Sequence, residues 1–163
     1  MKRRNFIQNS TLTAASLIAV NPLFSNNSSK LNHVYNLNYA PHLGMFKHHA
    51  GSDIFNQLEF IKDQGFTAFE DNGMKNRDVK TQEKIGDFLS KNNIIMGVFV
   101  AHKIYWNKPN LASGDLNKRK EFLNDITTSI DVAKRVNAKW ITVVPGHLDL
   151  RKDMNYQTQN VIE

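Results

Sequence analysis

The sequence predicts an α/β protein in which parallel strands alternate with amphipathic helices, as about four βα units of an eight-fold barrel. Three observations predict it. Short apolar runs of strand length recur four times between residues 43 and 144. The stretches between them carry apolar residues at helical spacing. One run, Ile94 to Ala101, is apolar without interruption, as in a strand covered on both faces. Strand–helix–strand order implies parallel pairing through right-handed crossovers. An open doubly wound sheet is the competing architecture, but no glycine-rich phosphate loop follows any strand. A barrel of about 250 residues spends roughly 30 on each unit, so this length corresponds to half of one. A half-barrel leaves its first and fourth strands as unpaired edges, and the expectation is a truncated chain of poor stability.

The first strand is expected at Leu43-Gly44-Met45-Phe46. Ser52 or Asp53 then caps a helix that carries Ile54, Leu58 and Ile61, and Gly65 ends it. The second strand is Thr67-Ala68-Phe69-Glu70, followed by a helix from about Val79 to Leu89 with Ile85, Phe88 and Leu89 on one face. The third strand leads into a long polar loop, His102 to Asp115. The third helix sets Phe122, Ile126, Ile130 and Ala133 on one side and ends at Asn137. The fourth strand is Trp140 to Val144; Pro145-Gly146-His147 follows, and another helix begins near Tyr156.

Composition narrows the function classes. Hydrophobic content of 40% and charged content of 22% are those of a soluble globular domain. There is no cysteine, which excludes disulfides, thiol nucleophiles and thiolate metal sites. No apolar run has the length of a stable membrane span. The net charge of +6 suggests a nucleic-acid partner, but its distribution argues against one. Four of the 21 basic residues fall in the first thirty positions, which hold no acid; 17 basic residues then face 15 acidic ones. These are interspersed along the helices, whereas a phosphate-tracking surface gathers them on one face.

The first thirty-one residues read as a targeting segment. Lys2, Arg3 and Arg4 precede Asn5-Phe6, a mildly apolar stretch from Thr11 to Val20, and a polar run from Asn26 to Lys30. That is the order of a signal peptide, and the paired arginines look like a twin-arginine export signal. Residues 1–31 are therefore expected to be leader and linker, 32–163 the barrel portion, and the destination periplasmic or exported.

In a βα barrel the chemistry lies at the C-terminal strand ends. Those positions offer Phe46, Lys47, His48 and His49; Glu70, Asp71 and Asn72; His102, Lys103, Tyr105 and Trp106; and His147 with Asp149. Glu70 closes an apolar strand before an Asp-Asn-Gly turn, and is either a site residue or a solvated loop acid. His102 and His147 follow strands at the mouth, as pocket residues or as satisfied structural histidines. His48 and His49 are adjacent, so in a strand they point to opposite faces and cannot chelate one ion. Tyr105 and Trp106 either cover a bound sugar or pack the loop.

Four segments resemble a known family: Ala40-Pro41-His42-Leu43-Gly44-Met45-Phe46, Phe69-Glu70-Asp71-Asn72-Gly73-Met74, Gly97-Val98-Phe99-Val100-Ala101-His102 and Val143-Val144-Pro145-Gly146-His147. They are similar to secreted bacterial members of the hydroxypyruvate isomerase-like, xylose isomerase-like TIM-barrel family. The resemblance runs from about Tyr39 to the end. It implies interconversion of small hydroxy-aldehydes and hydroxy-ketones, with acidic residues moving a proton and a divalent ion, Mg²⁺ or Mn²⁺, holding the substrate oxygens. It places the metal-binding and catalytic carboxylates on the fifth to eighth strands, beyond Glu163, and leaves Glu70, His102, His147 and Trp106 as the substrate pocket. A metal is thus expected in the complete barrel and no tight metal site in these residues, which alone are expected to be inactive. The expected partners are a small sugar or hydroxy-acid and further copies of the chain in a homo-oligomer. A non-catalytic exported sugar-binding module, and a metal-dependent lyase or phosphodiesterase of the same superfamily, are the alternatives.

Overall fold

In this computed structural model, residues 35–163 are described. The leader expected at 1–31 lies outside them. The elements run in strand–helix order: α1 (Lys47–Ala50), α2 (Ile54–Asp63), β1 (Ala68–Phe69), α3 (Val79–Lys91), β2 (Ile95–Met96), α4 (Leu116–Val136) and α5 (Met154–Ile162). Two 3-10 turns, Met74–Asn76 and Leu111–Ser113, follow β1 and precede α4.

The helix boundaries have local causes. Asp53, Asp78, Asp115 and Asp153 each accept a backbone N–H of the first helical turn, which satisfies donors the helix itself cannot. Asn137 ends α4 in the left-handed conformation, which asparagine tolerates better than most residues.

Parallel pairing joins four segments in chain order. His42 pairs with Glu70, β1 with β2 in the register Ala68–Ile95 and Phe69–Met96, and Val100 with Thr142. Backbone bonds extend the central ladder: Ile95 N–H donates to Thr67 O (2.8 Å), Gly97 N–H to Phe69 O (2.7 Å) and Asp71 N–H to Val98 O (3.3 Å). The strands are far shorter than the apolar runs. Only Ala68, Phe69 and Glu70 of the second run, Ile95, Met96 and Val100 of the third, and one residue each at 42 and 142 keep regular pairing.

The first run is not a strand. Residues 43–46 form a turn that enters α1, with Gly44 at φ +99° and Met45 N–H donating to His42 O at 3.1 Å. Gly44 adopts that positive φ at no steric cost, and the reversal removes the segment from the ladder. The third run is not covered on both faces: Ile95 is half exposed, whereas Ile94 and Met96 are buried. On α4 the buried row is Ser129, Val132 and Val136, while Ile130 faces out.

The core gathers Leu58, Ile61, Phe69, Met74, Ile85, Leu89, Met96, Phe99, Val132 and Val136 from the strands and from α2, α3 and α4. Each large side chain buried there contributes roughly 1.5–3 kcal/mol. Gly86 lets α3 and α4 approach closely. A β-carbon there would collide with the Arg135 carbonyl oxygen and stand 3.3 Å from Val136 Cα. Gly86→Ala is therefore expected to cost about 1–3 kcal/mol through overpacking, despite alanine's better helix propensity. Urea unfolding beside the exposed control Ser90→Ala measures it; equal midpoints for the two variants would rule out the close approach.

Candidate functional site

A cleft of about 740 Å³ opens where the second, third and fourth segments end, lined by Asn72, Gly73, Lys75, Asn76, Val100, His102, Lys103, Ile104, Trp106, Asp125, Thr142 and Val144. Its residues come from the turn after β1, the loop after β2, α4 and the fourth segment.

His102 is 5% exposed, and both ring nitrogens are engaged. Val144 N–H donates to Nε2 at 2.8 Å, and Nδ1 lies 2.9 Å from Lys103 O. A backbone N–H can only donate, so Nε2 must present a lone pair and Nδ1 carries the hydrogen. The ring also leans on Phe122, with centroids 4.8 Å apart. His102 thus ties the fourth segment to the end of the third, with no nitrogen left over for a ligand.

Lys75 and Asp125 form the second tie. Lys75 Nζ lies 2.8 Å from Ala101 O, 2.6 Å from Asp125 O, 3.0 Å from Asp125 Oδ1 and 3.1 Å from Thr128 Oγ1. An ammonium has three N–H groups, so these acceptors occupy it fully. Asp125 Oδ2 accepts the Lys103 N–H at 3.0 Å. Burial pushes the Asp125 carboxyl up, but the Lys103 amide bond and the bond and charge of Lys75 outweigh it. They hold the carboxyl below the ordinary aspartate value.

The structure brings two of the four sequence-predicted site residues into this cleft, His102 and Trp106. Trp106 is 71% exposed, with its ring at the cleft surface. Tyr105 packs the loop instead: its hydroxyl donates to Glu121 Oε2 at 2.7 Å, and its ring lies 4.8 Å from the Lys103 ammonium. Glu70 is half-buried beside Gly97 and does not line the cleft. His147 is exposed and lines a separate hollow of about 360 Å³ with Asn107, Pro109 and Asp149. His49 stacks on Phe60 at 5.5 Å.

Reading strand ends alone overlooks Lys75, which lies in a 3-10 turn, and Asp125, which lies in mid-helix. A signal for Asp125 does exist in the sequence. It shares a helical stripe with Phe122, Ser129, Val132 and Val136, and a carboxylate on a buried stripe needs a partner.

No family model, curated protein or solved structure matches the chain. No helix among the described residues is long and apolar enough to cross a membrane. Among the described residues no three His, Asp or Glu side chains stand close enough together to hold an ion, and His102 has no free nitrogen.

The lowered Asp125 carboxyl fixes the sign of a pH effect. Its contribution to stability is complete above about pH 4 and is lost as the pH falls through its lower folded value. Asp125→Asn is expected to cost about 1–3 kcal/mol at neutral pH, because Lys75 loses a charged partner. It should also flatten the decline of stability as the pH falls below about 4. Denaturant titrations across that range read both effects, and identical slopes for the two proteins would count against the tie.

Proposed function

We propose that the chain is the substrate-binding half of an exported sugar isomerase-like barrel that acts on small hydroxy-aldehydes and hydroxy-ketones. The observation that carries this reading is the exposed indole of Trp106 in a cleft of amides and an ammonium at the ends of parallel segments. Aromatic faces suit the C–H surfaces of a sugar, and side-chain amides donate and accept as hydroxyls require. Asn72 and Asn76 are exposed in the same cleft, and Lys103, exposed at its edge, carries a donor for a carbonyl or carboxylate oxygen.

Proton transfer between adjacent carbons needs a base near the carbon and an electrophile at the oxygen. In this proposal the chain orients the substrate, and the acidic residues and divalent ion come from the later strand ends that the resemblance implies. Asp125 is already committed to Lys75 and to the Lys103 N–H. That commitment equally favours the second reading, a non-catalytic exported sugar-binding module.

Fluorescence tests the reading. In a Trp140→Phe background, Trp106 emission should change saturably with hydroxypyruvate, glyceraldehyde or a small ketose. Calorimetry on Trp106→Ala should show binding weakened by roughly threefold to tenfold, the worth of one aromatic contact of about 0.5–1.5 kcal/mol. Interconversion of aldose and ketose in the NMR spectrum with Mg²⁺ or Mn²⁺, measured on a barrel that includes the later strand ends, then separates isomerase from binding module. No saturable response to any of these compounds would sink both readings.

A further inference from the structure

We propose that His102 is a protonation-sensitive latch that holds the fourth segment against the third and so controls the width of the cleft. This inference does not depend on what the cleft binds. Val144 N–H donates to His102 Nε2 at 2.8 Å, while Nδ1 faces the Lys103 carbonyl at 2.9 Å. The ring is 5% exposed. A second proton on the ring would set an N–H against the Val144 N–H, donor against donor. The ring itself is nearly buried, and a buried donor without an acceptor is costly.

Ile141 packs the fourth segment on the core and a bridge joins Pro109 to His147 just beyond it, but few bonds hold the stretch from Thr142 to Val144. The segment's regular pairing with the third is the single bridge Val100–Thr142, carried by Ala101 N–H to Thr142 O (3.0 Å) and Thr142 N–H to Phe99 O (2.8 Å). Trp140 and Val143, on either side, are largely exposed. Thr142 and Val144 both line the cleft, so their release opens its wall.

The charges facing the ring come from three elements. Asp125 on α4 interacts with the ring through its charge; Lys75 from the turn after β1, paired with Asp125, and neighbouring Lys103 line the same cleft. Phe122 contributes only an apolar ring. Histidine is the side chain whose charge ordinarily changes between about pH 5 and pH 8, so acidification over that range is the perturbation the test applies.

The test uses the whole chain. Long-range ¹⁵N–¹H spectra of the imidazole should show hydrogen on Nδ1 and a lone pair on Nε2 at about pH 7.5. Amide exchange, corrected for the intrinsic rate, should lose roughly tenfold protection or more at Val144 and Thr142 as the ring takes its second proton. Ile85 in α3 should keep its protection over the same range. His102→Gln supplies an acceptor and a donor that do not titrate, and its Val144 protection should not vary with pH. If that variant does not fold, the wild-type ring and amide titrations still decide the matter. A doubly protonated ring with Val144 protection unchanged would overturn the latch. So would an equal loss of protection in His102→Gln.

Discussion

The peptide between Ala101 and His102 is the point on which the walls of the cleft converge. Ala101 N–H donates to Thr142 O, and Ala101 O accepts from Lys75 Nζ at 2.8 Å and Ser129 Oγ at 2.6 Å. His102 then takes the Val144 N–H. One residue pair thus receives bonds from the turn after β1, from α4 and from the fourth segment. Ala101 is fully buried, so each of these polar groups would be unpaid if its partner left. Short strands supply few ladder bonds, and the side-chain ties at this point stand in for them.

A second buried network supports the first from beneath. Asp71 is 2% exposed and accepts the Gly73 N–H at 3.0 Å and the Arg77 Nε–H at 2.5 Å. Gln82 on α3 donates to Met74 O and Arg77 O and accepts from Arg135 on α4. The turn that presents Asn72, Lys75 and Asn76 is therefore held at both ends. A carboxylate removed from water persists only with such partners. The close approach of α3 and α4 at Gly86 brings Arg135 within reach of Gln82. Packing and polar ties are here two aspects of one arrangement.

Much of the local structure was legible in the sequence. The helix capped at Asp53, the stop at Gly65 and the end of α4 at Asn137 follow from side chains acting within a few residues of themselves. The alternation of apolar runs with amphipathic stretches also gave the chain order in which the parallel segments pair. The run at Leu43–Phe46 misled because apolarity alone does not distinguish a strand from a buried turn, and Gly44 at positive φ makes it a turn. Ile130 misled because the spacing from Phe122 and Ile126 fits more than one helical face; contact with α3 selected the row through Ser129, Val132 and Val136.

The sequence by itself determined a cap at Ser52 or Asp53, the stops at Gly65 and Asn137, and that polar groups recur at strand ends. These depend on neighbours in the chain. Only the tertiary structure decided what each of those groups does. It placed Trp106 and His102 in one cleft and His147 in another, and it engaged both nitrogens of His102 with backbone groups. It also joined Lys75 to Asp125, fifty residues away in the chain. Hydrogen-bond geometry is a matter of ångströms and angles between distant segments, and no spacing along the chain encodes it.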